Sequence, residues 1–229
     1  MRRSLAFVAV LLGASPVAAE PCPSFGLAPK VVRASVVVTN DGGVVVAELP
    51  QATVDGGQPD QADWKLRAHN KLVKPQIDPI APGLVVYRPP VGAAAFTLED
   101  TTMGSLLGKA RLATKALGLL AAPRVKAVVS GTTRTKHATT FVTVELDGSA
   151  PADAIALVVR AAKGDPLSFG LVGPRATKVS VYSTQGGCVT AFPNGTVIAQ
   201  PGDRVVAFWV DASGRRSATT APLVVTKPR

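Results

Sequence analysis

Residues 201–215 read PGDRVVAFWVDASGR, which is a polar turn, an unbroken run of apolar and aromatic residues, and a second polar turn. Val, Phe and Trp favour strands, whereas Pro, Gly, Asp and Ser interrupt them. The stretch therefore predicts a strand from Val205 to Asp211, followed by a turn at Ser213-Gly214-Arg215. Short β-forming runs between Gly- and Pro-containing turns recur along the whole chain, so we predict an all-β protein.

The sequence between residue 124 and this stretch repeats the same pattern. Residues 140–147 alternate between apolar and polar side chains, as in a strand with one solvent-facing side. Residues 154–162 are almost purely apolar, which is typical of a strand buried on both faces. Further β runs occur at 125–130, 178–183, 197–200 and 218–226. About seven short strands in the segment 124–229 predict a β-sandwich domain.

With its turn, strand, turn and final strand, the segment 201–215 resembles the last hairpin of an immunoglobulin or fibronectin-type-III-like domain. The resemblance covers the C-terminal half only and implies a fold, not a function. Three features depart from the antibody pattern. Cys188 is the only cysteine after residue 124, Trp209 lies on the penultimate strand rather than the third, and no tyrosine stands at the usual corner position.

A second β domain is predicted over residues 20–103. Residues 31–39 and 44–49 are β runs that flank Asn40-Asp41-Gly42-Gly43, a strong hairpin signal. Residues 64–73 predict one strand with Lys65, Arg67 and His69 on one face and the apolar side chains on the other. Two shorter runs follow at 84–87 and 96–98.

Residues 104–123 are interpreted as a linker between the two domains. Leu106, Ala110, Leu117 and other apolar residues recur at three-to-four spacing, a pattern that indicates an amphipathic helix. Gly108 and Gly118 weaken that pattern, so an apolar loop packed between the domains is the alternative. A basic helix lying on a membrane surface is disfavoured, because the stretch is short and carries few cations. We predict two β-sandwich domains joined by this short helical or apolar linker.

The N-terminus predicts export. Residues 1–4 are basic, residues 5–14 form an uncharged apolar run, and Val17-Ala18-Ala19 offers the small residues that precede a cleavage site. We therefore expect a signal peptide over residues 1–19, with Glu20 at the mature N-terminus. The apolar run is too short to span a bilayer, so no transmembrane segment is predicted. The signal is of bacterial type, so the mature protein is expected in the periplasm or outside the cell.

Cys22 and Cys188 are the only two cysteines in the chain. An even cysteine count in an oxidising compartment predicts a disulfide. Such a Cys22–Cys188 bridge would attach the N-terminal leader to the second domain. Two free thiols are the alternative.

The charge balance bears on possible partners. The formal net charge is +10 for the whole chain, and removal of Arg2 and Arg3 with the signal lowers it to +8. A basic exported protein can contact anionic polymers of the cell envelope or another envelope protein. The cations are scattered rather than clustered, and aromatic residues do not alternate with them, so nucleic acid is not a predicted partner.

The sequence contains no recognisable catalytic or metal-binding motif. His69 and His137 have no second ligand at metal-binding spacing, so no metal, cofactor or catalytic residue is predicted. Four aromatic residues in apolar runs are predicted to pack in the core rather than to form a ligand platform: Trp64, Tyr87, Tyr182 and Trp209. The first functional hypothesis is therefore a non-enzymatic structural or binding module of the cell envelope. The second is a small envelope hydrolase whose Ser, His and Asp residues meet only in the folded chain.

Overall fold

The structure is a computed structural model. The residues that it describes are 25–33, 35–38, 42–52, 64–68, 70–90, 93, 95–100, 105–112, 118, 120–132, 140–164, 166–183 and 199–228. The predicted signal peptide, Cys22, Cys188, His69 and His137 lie outside these ranges. Every regular element within them is a strand, which confirms the all-β prediction.

The described part of the chain contains sixteen strands. In chain order they are β1 (Phe25–Val31), β2 (Ser35–Val38), β3 (Val44–Ala52), β4 (Trp64–Ala68), β5 (Lys71–Val73), β6 (Gln76–Ala81), β7 (Leu84–Arg88), β8 (Ala95–Asp100), β9 (Ser105–Leu112), β10 (Val125–Thr132), β11 (Thr140–Leu146), β12 (Ala154–Ala161), β13 (Pro166–Leu171), β14 (Lys178–Ser183), β15 (Arg204–Asp211) and β16 (Leu223–Thr226).

The strands pair into three hydrogen-bonded ladders. Sheet I has the order β2-β9-β8-β4-β5, and sheet II has the order β1-β3-β7-β6. The remaining strands form one ladder, β13-β12-β15-β16-β10-β11-β14, in which β16 pairs antiparallel with β15 and parallel with β10. We treat β13-β12-β15 as sheet III and β16-β10-β11-β14 as sheet IV, because their side chains meet in a common core.

The four sheets stack as layers, with sheets II and III inside and sheets I and IV outside. Neighbouring residues of a strand point to opposite faces, so an inner strand contributes to two cores. In β3, Val44 lies in the core shared with sheet I and Val45 in the core shared with sheet III. In β15, Phe208 packs towards sheet II and Trp209 towards sheet IV. Three apolar cores therefore follow one another through the molecule.

The middle core, between sheets II and III, joins the N-terminal half of the sequence (β1–β9) to the C-terminal half (β10–β16). It combines Leu84 and Val86 of β7 with Val158 of β12 and Phe208 and Val210 of β15, all of which are buried. The first six residues of β12 are buried, and they divide between the middle core and the core shared with sheet IV. The prediction that residues 154–162 form a strand buried on both faces is thus confirmed.

The turn after β15 also connects the halves. The backbone carbonyl of Ser213 accepts a hydrogen bond of 2.9 Å from the Gly43 amide. Gly214 has a φ of +81° and lies against Val86, so that a Cβ atom at this position would collide with that side chain. Arg216 Nη2 donates to the Pro79 carbonyl oxygen at 3.1 Å. Position 214 therefore requires glycine, both because of its positive φ and because of its close contact with Val86.

Several sequence-based expectations differ from the structure. The single strand expected over residues 64–73 is instead two strands, β4 and β5, which pair antiparallel on either side of the turn at Asn70. The helix and the alternative apolar loop expected within residues 104–121 are both wrong over Ser105–Leu112, because these residues form β9 inside sheet I. The hairpin expected around Asn40-Asp41-Gly42-Gly43 is wrong, because β2 pairs with β9 whereas β3 pairs with β1 and β7. The regular part of the last strand begins at Leu223 instead of residue 218. The linker boundaries, the two-domain division and the immunoglobulin-like assignment stay predictions.

Candidate functional site

The outer face of sheet I carries a group of positive charges, which we call the basic face and define as Lys65, Arg67, Lys109 and Arg111. The residues that alternate with them, such as Leu66 and Ala110, are buried in the core below. Lys65, Lys109 and Arg111 are exposed and Arg67 is partly exposed. The alternation of the strands thus places the cations on the solvent side of the sheet.

Lys109 and Arg111 share this face only because residues 105–112 form a strand. In a helix, two residues two positions apart point in different directions, whereas in a strand they point the same way. The pairing with β8 shifts by one residue at Leu107, because Leu98 is opposite Gly108 while Glu99 is opposite Leu106. This bulge fixes which residues of β9 face outwards.

Gly108 lies where β9 packs closely against sheet II. A Cβ atom at Gly108 would come within 3.1 Å of Val31 Cγ1 and 3.2 Å of Val44 Cγ1. The glycine that weakened the helical pattern therefore allows β9 to approach sheet II closely, which is a common role of glycine within strands.

Arg67 is held in place by its neighbours on the basic face. Its Nε donates to Glu99 Oε2 at 3.2 Å, and its Nη1 donates to the Asn70 carbonyl oxygen at 3.1 Å. The hydroxyl of Thr97 donates to the other carboxylate oxygen of Glu99 at 3.0 Å. Asn70 lies in the turn between β4 and β5 with a φ of +61°, a conformation that asparagine tolerates well. Glu99 thus orients Arg67 and offsets part of its charge.

Three residues of the basic face, Arg67, Lys109 and Arg111, line an open groove of about 620 Å³. Its polar lining consists of Ser35, Arg67, Asn70, Thr97, Lys109 and Arg111. Within the described part of the chain, Lys109 and Arg111 have no carboxylate partner. The groove can therefore offer two unpaired cations, one pre-oriented guanidinium and several hydroxyl or amide groups to an anionic ligand.

A second groove, of about 790 Å³, lies on the outer face of sheet IV and differs in character. The Lys178 ammonium donates to Glu145 Oε1 at 2.6 Å. This hydrogen bond, and then the Lys178 charge, lower the pKa of the Glu145 carboxyl from its ordinary value. Lys126 and Lys227 also line the groove, but the strands between them present uncharged residues such as Val224. The cations of this groove are therefore dispersed, and one of them is paired with a carboxylate.

A buried carboxylate–hydroxyl pair, Asp211 and Ser213, serves the turn after β15. Ser213 Oγ donates to Asp211 Oδ1 at 2.7 Å, and the backbone amides of Ser213 and Arg215 donate to the same oxygen. Arg215 Nη2 lies 2.6 Å from Asp211 Oδ2. In a hydrolase the serine hydroxyl would instead donate to an imidazole and face the substrate. Here Ser213 is 2% exposed, so the pair shapes the turn and has no access to a substrate.

The structure describes two of the four aromatic side chains that were predicted to pack in the core. Tyr87 and Trp209 are 8% and 3% exposed and belong to apolar cores, which confirms the prediction for these two. The side chains of Trp64 and Tyr182 are not described. The residues of the predicted disulfide and both histidines lie outside the described ranges, as noted above, so the bridge and a spatially assembled hydrolase site stay predictions.

The described residues include neither a cluster of metal-ligating side chains nor a membrane-spanning helix. No group of three or more His, Cys, Asp or Glu side chains within the described ranges is placed to hold a metal ion. None of the elements described there is a helix with the length and apolarity needed to cross a bilayer.

Part of the basic face was visible in the sequence and part was missed. The alternation of residues 64–68 predicted Lys65 and Arg67 on one face of a strand, and both side chains do lie on the solvent side. Lys109 and Arg111 were missed as a site because Leu106 and Ala110 satisfy a helical period. Two signals could have identified the strand, namely Gly108 and the alternation of Gly108, Lys109, Ala110 and Arg111.

Comparison with known proteins finds distant structural similarities and no matching family. No protein-family model matches the chain, and no curated protein matches it. Among solved structures, the chain is similar to SGBP-B of a Bacteroides ovatus mixed-linkage glucan utilization locus, determined in complex with a mixed-linkage heptasaccharide. The identity is 12%, the TM-score is 0.22, and the match covers 84% of this chain and 42% of that structure. A similarity at this level assigns neither a fold family nor a ligand to this protein.

Proposed function

We propose that this protein is a non-enzymatic binding module of the bacterial cell envelope, and that it binds an anionic polymer through the basic face. The observation that carries the proposal is the juxtaposition of Lys109 and Arg111 with the oriented guanidinium of Arg67 along one open groove. These cations come from two different strands, so the folded sheet creates a charged surface that no single sequence segment contains.

An open, charged groove suits a long ligand better than a small one. Pockets for small molecules are usually concave and surround most of the ligand. This groove lies along a sheet surface and presents its polar groups to solvent, so that a polymer can lie across several strands. Charge-assisted hydrogen bonds from arginine and lysine to carboxylate or phosphate groups are about twice as strong as neutral ones.

The predicted export fits this role. If residues 1–19 form a signal peptide, the mature protein meets anionic polymers outside the cytoplasm. The predicted Cys22–Cys188 disulfide would belong to the same oxidising compartment, and intact-mass analysis after alkylation without reduction would detect it. In this proposal, residues 20–103 and the following β9 build the binding half, and residues 124–229 build an immunoglobulin-like supporting half.

The test compares two double variants with the same loss of charge. K109Q/R111Q removes two cations from the basic face, and K126Q/K227Q removes two exposed lysines from the groove on sheet IV. Binding of the purified chain to polygalacturonate, with neutral pullulan as reference, is measured by calorimetry or affinity electrophoresis. We expect K109Q/R111Q to weaken binding by about tenfold or more, since two charge-assisted contacts are lost.

The control variant decides whether position or total charge matters. K126Q/K227Q is expected to bind within about twofold of the wild type, because long-range effects of exposed charges are screened by salt. Equal losses in both variants, or no binding of the wild type to any anionic polymer, would overturn the proposal. Circular dichroism spectra of both variants must match the wild type, as expected for exposed side chains.

A further inference from the structure

The spacing of the cations on the basic face restricts the class of anionic polymer. We infer that the groove selects an acidic polysaccharide with separated carboxylates over a polymer with closely spaced phosphates. This inference rests on the proposed function, since it assigns a ligand class to the same face.

The first step concerns distances along and across the sheet. Lys109 and Arg111 are two residues apart on β9, which separates their Cα atoms by about 7 Å. Lys109 is opposite Thr97 of β8, and Thr97 is opposite Arg67 of β4. Two strand spacings therefore separate Lys109 from Arg67, or about 10 Å between the backbones. The Cα atoms that carry neighbouring positive charges of the groove are therefore about 7 to 10 Å apart.

The second step compares this spacing with that of the possible ligands. A single nucleic acid strand carries one phosphate charge per about 3.4 Å, and inorganic polyphosphate is at least as dense. Most charges of such a polymer would have no cation opposite them in this groove. In an acidic polysaccharide, every sugar or every second sugar carries one carboxylate. Each carboxylate can therefore meet a separate cation.

The third step concerns the groups between the cations. Ser35 and Thr97 flank Lys109 on the two neighbouring strands, and both line the groove. Hydroxyl groups can exchange hydrogen bonds with sugar hydroxyls. Glu99 lies on the same face and accepts hydrogen bonds from Thr97 and Arg67. Its negative charge disfavours a dense polyanion more than a sparse one, because repulsion grows with the number of nearby ligand charges.

The experiment uses the full chain and four polymers of similar length. Hyaluronan has one carboxylate per two sugars, polygalacturonate has one per sugar, polyphosphate is densely charged, and pullulan is neutral. At about 0.15 M salt, where the screening length is near 8 Å, we expect both acidic polysaccharides to bind at least about tenfold more tightly than polyphosphate. Raising the salt concentration should weaken polysaccharide binding with a shallow logarithmic slope, no steeper than about −3 for three charge contacts.

Two substitutions separate this inference from the proposed function. Thr97→Val is expected to weaken hyaluronan binding by about threefold to tenfold, because one hydroxyl contact and the support of Glu99 are lost. The inference would be overturned if polyphosphate bound more tightly than the acidic polysaccharides and K109Q/R111Q abolished that binding. The basic face would then still be a binding site for polyanions. The proposed function itself would be overturned if K109Q/R111Q did not weaken the binding of any anionic polymer. Equal binding of pullulan and hyaluronan would contradict both.

Discussion

The two inner sheets and the two outer sheets of this protein use similar aliphatic residues but bury them differently. Strands β3, β7, β12 and β15 of sheets II and III contribute side chains to two cores each. Strands such as β8, β9 and β11 bury one face and present the other to solvent. The inner sheets therefore hold the molecule together, while the outer faces can vary in charge without affecting the cores.

The same comparison explains the contact between the halves of the chain. Two domains joined by a linker commonly meet through a small, polar interface. In this protein the interface is the middle core, which contains large apolar residues from β7, β12 and β15. A core of this kind predicts that the halves stabilise one another, and that substitutions in it cost far more than substitutions on an outer face.

The largest effect is expected for Phe208→Ala in the middle core. Phe208 is 4% exposed and belongs to the core between sheets II and III. Truncation of a buried phenylalanine leaves a cavity and lowers the free energy of unfolding by about 3–5 kcal/mol. Urea denaturation followed by circular dichroism measures the change. Val224→Ala on the outer face of sheet IV, where the residue is 52% exposed, should change stability by less than about 0.5 kcal/mol.

A smaller but still large effect is expected for Asp211→Ala in the turn between the halves. The substitution leaves Arg215 without its carboxylate in a site where the two side chains are only 15% and 5% exposed. Removing one partner of a buried ion pair costs about 3 kcal/mol at the lower end of the usual range, which applies here because Arg215 also donates to the Gly118 carbonyl oxygen. Thermal unfolding should show this loss, and D211A/R215M should recover part of it. The exposed Arg124–Asp147 pair is the control, since Asp147→Ala should cost less than about 1 kcal/mol.

The smallest effect is expected for the Lys178→Met substitution, which changes the pKa of Glu145 on the outer face of sheet IV. The hydrogen bond and charge of Lys178 lower the pKa of Glu145 below its ordinary value of 4.5. A carboxyl with a lowered pKa in the folded state stabilises the protein above its unfolded pKa, and this contribution is lost as the pH falls through the folded pKa. A carboxyl-selective NMR titration should give a lowered midpoint in the wild type. In Lys178→Met the midpoint should rise towards 4.5, and an unchanged midpoint would refute the assignment.

Sequence patterns identified the strands well where burial follows a simple rule. Residues 140–147 alternate because β11 has one exposed face, and residues 154–162 are almost purely apolar because β12 is buried on both faces. Sequence patterns failed where a segment satisfied a competing rule. Residues 104–121 fit a helical period, yet the pairing of β9 with β2 and β8 made residues 105–112 a strand.

The pairing of strands into the four sheets also could not be predicted from the sequence. The residues Asn40 to Gly43 have hairpin chemistry, but β2 and β3 lie in different sheets, because each finds its partners far along the chain. The basic face depends on such distant pairings. Arg67, Thr97 and Lys109 are neighbours only because β4, β8 and β9 align in sheet I. Local spacing could show each cation but not the groove they form.

Hydrogen exchange measured by mass spectrometry tests most directly whether the middle core makes the two halves one folded unit. The experiment follows peptides that cover β7 and β12, with a reductant present so that a Cys22–Cys188 bridge cannot tether the halves. If the halves share one cooperative unit, both peptides exchange with the same free energy of opening, equal to the global value. Phe208→Ala should lower both values together. Opening free energies that differ by more than about 2 kcal/mol, or a variant that destabilises only β12, would contradict a shared core.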